Sequence, residues 1–241
     1  MSIQTMSESS TTIEIPRTVL EAGVLSCDFK DHRVITRVIA INNPVIYATN
    51  GKRMFRATLH SSLSNKATLS QPICLFAEKV EIALKQLKQT MGRNAKQIET
   101  ILITYDPANP YIANLSIGQT STRYNPTLSM QSLKIPVDLA DSNDTEDVLK
   151  MFVRLFDAIQ NDSEVRPSLD KDRAKFCYNL SLLNYLLKVL DIMNIDFLSL
   201  KQIKINDDSC FTYSHEIPDN KDSDKVIYLK DMSVSIMGLY N

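Results

Sequence analysis

Residues 45–88 leave few folds open to this chain. The run VIYATNGKRMFRATL is rich in β-branched and aromatic residues on both sides of Asn50-Gly51. That dipeptide tolerates positive φ, so the pattern predicts a β-hairpin closed by a two-residue I′ turn. A polar loop follows, then a short apolar run over 72–75. Over 77–91, Val80, Leu84, Leu87 and Met91 recur on one helical face. The order is therefore hairpin, loop, short strand, amphipathic helix.

The flanking sequence continues in the same alternation. Pro16 suits the first turn of a helix over 16–24. Strands are predicted over 33–41, 98–105, 111–117 and 134–137, with a turn at 106–110. In the third of these, Tyr111, Ala113, Leu115 and Ile117 share a face. Residues 138–145 are polar and acidic, a linker or a helix lead-in. A helix over 146–159 carries Leu149, Phe152, Phe156 and Ile159 on its apolar side, with Lys150 and Arg154 opposite. The charged stretch 160–173 contains Pro167 and reads as loop. A second hydrophobic unit follows: a short strand over 175–178, then a helix over 180–193 with Leu183, Leu186, Leu187 and Leu190 inward. Strands at 197–205, 210–213 and 225–229 and a turn at 219–224 complete it. PICLFAEKVEIALKQLK and KFCYNLSLLNYLLKVLD share one strand–helix layout, an internal echo of a repeated unit.

The expected fold class is α+β: two domains, each of short helices on one side of antiparallel sheets. They divide as a disordered tail over 1–12, a first domain over 13–135 and a second, abbreviated one over 136–241. Only about 20 residues separate the two helices of the second domain, which bears on whether its sheet is complete.

Composition excludes several functions. Lys and Arg number 27 against 28 Asp and Glu, so no basic excess advertises nucleic acid, and any such contact needs local sorting of charge. No apolar run is long enough to span a bilayer. The first residues lack the basic start and apolar core of a secretory signal, which leads us to expect a cytoplasmic protein. Cys27, Cys74, Cys177 and Cys210 stand apart with no C-x-x-C, and His32, His60 and His215 do not cluster near them; they read as buried free thiols, with no metal site or cofactor. The chain has none of the phosphate-loop, dinucleotide, nucleophile-elbow or zinc-protease motifs, and only five glycines. Asp207 and Asp208 read as turn residues. No catalytic residue is assigned, and an enzyme is not expected.

The hairpin and helix resemble the middle domain of the bacterial DNA polymerase III β subunit, the sliding clamp. There a strand ends in Ala-Thr-Asp-Gly-His-Arg-Leu-Ala, followed by a Pro-containing strand and a helix. The stretch PRTVLEAGVL resembles the short helix that precedes that hairpin. Arg123-Tyr-Asn-Pro126 stands where the family has Arg-Phe-Pro-Asp-Tyr, with one extra residue. Cys177-Tyr-Asn-Leu-Ser is similar to the Phe-Asn-Val-Ser-Tyr that opens a helix of the last clamp domain, and the segment to Met232 is similar to the terminal strand. The resemblance covers most of residues 13–232 and the family's last two domains.

It implies two working surfaces. One is a helix-lined channel for duplex DNA, to which Lys85, Lys88, Lys150, Arg154 and Lys188 on polar helix faces would belong. The other is an apolar groove for a peptide of a DNA polymerase or clamp loader. Its lining would be Thr49, Gly51, Lys52, Arg53 and Met54, then Pro126 and Met130, then Leu229 and Met232. Lys52 replaces the family's His, and Met54 its Leu. The implied assembly is a homo-oligomer, a trimer if a ring closes. An alternative reading is a clamp-derived interaction module that keeps the groove and does not encircle DNA.

Overall fold

A computed structural model describes residues 11–69, 71–118, 133–161, 180–195, 201–205, 208–216 and 229–237. The chain is α+β, with short helices packed on two antiparallel sheets. In order it forms β1 (Thr11–Pro16), α1 (Arg17–Ser26), β2 (Val38–Asn42), β3 (Val45–Thr49), β4 (Arg53–Leu59), α2 (Ser61–Ser64), β5 (Ile73–Phe76) and α3 (Ala77–Met91). Then come β6 (Thr100–Tyr105), β7 (Ile112–Ile117), β8 (Ile135–Asp138), α4 (Ser142–Asn161), α5 (Leu180–Ile192), β9 (Lys201–Ile205), β10 (Asp208–Glu216) and β11 (Leu229–Met237).

The four-stranded sheet runs β1-β6-β7-β8 and the seven-stranded sheet β5-β2-β3-β4-β11-β10-β9. β11, from the end of the chain, pairs with β4, setting Phe55 opposite Val234 and Ala57 opposite Met232. Arg56 clasps Asp231 at 2.7 Å across this seam, and the Thr58 hydroxyl donates to the same carboxylate at 2.9 Å. The chain's two halves thus share one sheet. β8 straddles the 135/136 division and completes the four-stranded sheet, and β1 begins at Thr11, inside the segment expected to be a tail.

Period-2 patterning sorts the strands onto two cores. Ile39, Ile41, Ile46, Ala48, Phe55 and Ala57 face the main core with Ile13, Ile103 and Leu115 of the smaller sheet and the apolar sides of α1, α3 and α5. Val38, Ala40, Tyr47 and Cys74 face the other way, where Val148, Leu149 and Phe152 of α4 cover them. The Tyr47 and Phe152 rings stack with centroids 5.2 Å apart. The expectation of helices on one side is corrected here. α4 takes the opposite face because Val38, Ala40 and Tyr47 make that face apolar too.

Several local expectations shift. α3 spans Ala77–Met91 as its periodicity predicts, and Gly92 at φ +52 ends it. The 33–41 strand is instead a 3-10 turn over Val34–Thr36 followed by β2. The hairpin turn is moved by one residue. Asn50 pairs with Arg53 through its N–H, and of the central pair Gly51 and Lys52 only Gly51 has positive φ, +86, the II′ pattern in place of I′. Asn50 Oδ1 accepts the Lys52 and Arg53 N–H groups at 3.0 Å, which holds that register. On α5 the inward residues are Leu182, Tyr185, Leu186, Val189 and Leu190, while Leu187 is 50% exposed. Tyr111, expected inward, is exposed at the turn before β7. The strand expected at 175–178 and the turn at 219–224 lie outside the described residues, and β11 starts at Leu229 and runs on to Met237. Among the described residues no helix is long and apolar enough to cross a membrane.

Candidate docking site

A concavity lies where the chain passes from β8 into α4. Asp141 ends the segment after β8 and accepts the Asp144 N–H at 2.8 Å, so the acidic 138–145 stretch is a helix lead-in with a side-chain cap. Just before it, Leu139 bridges to Leu75 and the Ala140 N–H donates to the Cys74 carbonyl at 2.9 Å. The chain then turns away into α4. The corner leaves a cavity of about 630 Å³ walled by Pro72, Ile73, Leu139, Ala140, Leu149 and Val153, with Tyr105 and Pro110 also in its lining. Along the α4 side, Glu146, Lys150 and Arg154 follow one another at one-turn spacing. Lys150 Nζ reaches Glu146 at 2.6 Å; this hydrogen-bonded pair raises the Lys150 pKa and lowers that of Glu146. Arg154 carries no ion pair among the described residues. The cavity offers an apolar floor with a cationic lip, an arrangement that suits binding.

The residues expected to touch DNA are divided. Lys85 and Lys88 lie on the outer side of α3 and Lys188 on that of α5, both in the helix layer of the main core. Lys85 pairs with Glu81 at 2.8 Å and Lys88 with Glu21 of α1 at 2.7 Å. Lys150 and Arg154 are on α4, across the seven-stranded sheet, and belong to the cavity just described.

The expected peptide groove is divided as well. Thr49 and Met54 are cross-strand partners, and Met54 packs toward the α4 side. Leu229 and Met232 face the main core, Met232 being 1% exposed, so neither lines a surface. Arg53 also points to the main-core side. It donates to the Cys27 carbonyl at 3.2 Å and lies over the Tyr185 ring at 4.6 Å. Gly51 and Lys52 are exposed at the turn. Pro126 and Met130 lie outside the described residues. The placement of Leu229 and Met232 is a correction with a plain cause: the β4–β11 register sets Met232 beside Ala57 and not beside Met54.

Cys27 and Cys74 are free and buried, and burial pushes both thiols up to about 12, which makes them poor nucleophiles. The other two cysteines have no described side chain. One sign of the cavity is present in the sequence: Val153, 44% exposed, breaks the polar side of α4 next to Lys150 and Arg154.

No protein-family model matches the chain, and no curated protein matches it. Among solved structures it is similar to a DNA polymerase sliding clamp from Pseudomonas aeruginosa, at 13% identity and a TM-score of 0.48 over 96% of this chain and 66% of that one. A sliding clamp from Bacillus subtilis matches at 12% identity and 0.47, over 97% and 66%. A putative DNA polymerase III β subunit from Eubacterium rectale matches at 8% and 0.45, over 96% and 65%. The chain spans about two thirds of the length of these proteins.

Proposed function

We propose that this protein is a DNA sliding clamp-like tether, which holds a partner protein at duplex DNA and performs no covalent chemistry of its own. What carries the reading is the run from β3 to α3. The residues that resemble the clamp's middle domain form a hairpin, edge strand and helix in that order, and α3 joins α1 and α5 in one helix layer. Two units, 13–135 and 136–241, would meet at the β4–β11 seam, with β8 lying across their boundary. Lys85, Lys88 and Lys188 are cations of that layer and would meet phosphate loosely, as sliding demands. Replacing all three by Glu is expected to abolish retention on nicked circular plasmid while the circular-dichroism spectrum stays unchanged. Retention equal to the parent protein would sink the DNA reading.

One observation favours the second reading, an interaction module that does not encircle DNA. Lys85 and Lys88 are already ion-paired, and Lys150 and Arg154 stand on the other face of the sheet, which leaves the helix layer weakly basic. Mass in solution separates the two: a trimer supports a ring, a monomer the module.

A further inference from the structure

We propose that the cavity between β5 and α4 is a docking site for a short acidic peptide, one that lays an aromatic or large aliphatic side chain into the cavity and sets a carboxylate against Arg154. The site is separate from the hairpin turn and from the helix layer.

Three observations converge on that occupant. First, the cavity of about 630 Å³ is walled mainly by apolar groups, among them Ile73, Leu139, Leu149 and Val153. That volume takes one or two large side chains, within the usual range of ligand sites of roughly 300–1,000 Å³. Second, the charge on its lip is of one net sign. Glu146 is satisfied by Lys150, and Arg154, one turn further on and close enough to perturb Lys150, has no carboxylate among the described residues. A guanidinium beside an apolar wall selects a planar carboxylate, which it can hold through two parallel hydrogen bonds. Third, the cavity opens at a sheet edge. β5 is the outermost strand of the seven-stranded sheet, and the strand-like neighbour on its free side ends at Ala140, where Asp141 turns the chain into α4. Ile73, the first residue of β5, lies just past that end and also walls the cavity. Pro72 precedes Ile73 and has no N–H, so this edge presents carbonyl acceptors, to which a peptide passing over the corner can donate a main-chain N–H while its side chain fills the cavity. A compact carboxylate ligand would use the floor and the arginine but not the edge.

The test uses the whole 241-residue chain without DNA, so failure of the DNA reading leaves it untouched. Fluorescein-labelled Ala-Ala-Phe-Asp-Glu-Ala and its neutral counterpart Ala-Ala-Phe-Asn-Gln-Ala are titrated by fluorescence polarisation, with decanoate as competitor and alternative ligand. The acidic peptide is expected to bind with a Kd below about 100 μM. The neutral one should bind at least about fivefold more weakly. Arg154→Glu should weaken the acidic peptide at least about tenfold. Val153→Glu should weaken both peptides by placing a charge at the cavity wall. Both positions are exposed, so both variants should fold. Equal affinity for the two peptides, or an acidic-peptide affinity unchanged by Arg154→Glu, overturns the proposal. Tight decanoate binding with no binding of either peptide overturns it in favour of a small-molecule site.

Discussion

Two glycines show what a single residue decides in this fold. Gly51 occupies the position of the hairpin turn that needs positive φ, and its N–H donates to the Thr49 hydroxyl at 3.0 Å. An alanine there is strained by its backbone whatever space surrounds it, at about 1–3 kcal/mol. Gly118 has a different reason to be glycine. It follows β7 where Thr100 donates a hydrogen bond to the buried Glu14, and an added Cβ would collide with both the Thr100 hydroxyl and the Glu14 carboxylate. We expect Gly118→Ala to lower the urea midpoint more than Gly51→Ala, because it forces apart a buried pair joining β1 to β6. Equal midpoints for the parent and Gly118→Ala would show that the contact relaxes freely. The cysteines give a second check at this scale. With thiols pushed up to about 12 by burial, Cys27 and Cys74 should resist an aromatic disulfide reagent at pH 8. Their peptides should acquire label only in denaturant, as mass spectrometry would report.

At the scale of elements, what was legible followed from periodicity, and what was missed followed from its limits. α3 was readable to its end residues because its apolar positions form one clean stripe and a glycine stops it. α5 was found but turned wrongly. Leu180, Leu182, Leu183, Leu186, Leu187, Val189 and Leu190 leave so little polar face that the sequence does not choose which leucine is left out. α4 was found, yet its partner surface was not. A strand such as VIAIN is apolar at every position but its last, and that marks a sheet covered on both faces. The α4 contact is testable by itself. Phe152 is fully buried and stacks on Tyr47, so Phe152→Ala should cost about 3–5 kcal/mol at that site. Because α4 closes a small cluster separate from the main core, the loss should appear as faster amide exchange in α4 and at Ala40 and Tyr47. Uniformly faster exchange in α1 and α3 as well would mean that the clusters melt together.

For the whole molecule, the decisive unknown in the sequence was strand parity across the seam. Met54 and Met232 are apolar residues on two strands distant in sequence, and nothing local says which face each one takes. A shift of one residue in the β4–β11 register would have turned Met232 onto the face that carries Met54; the observed register sends it into the main core beside Ala57. The consequence is thermodynamic. The main core draws Met232 and Val234 from β11, Tyr185 and Leu186 from α5, and Phe55 and Leu20 from the first half, so neither half closes its core without the other. The Tyr185 hydroxyl, bonded to Ser26 at 2.7 Å, and Arg53 lying over the same ring tie α5 to α1 and β4. Unfolding should therefore follow one cooperative transition through the seam. Met232→Ala removes a buried side chain and should cost about 2–5 kcal/mol. The urea midpoint should fall by the same amount whether read by far-ultraviolet circular dichroism or by tyrosine fluorescence. If instead the variant unfolds in two steps, with most of the secondary structure surviving the first, then the halves are independent units touching at an edge. The seam would then be a joint and not a shared core.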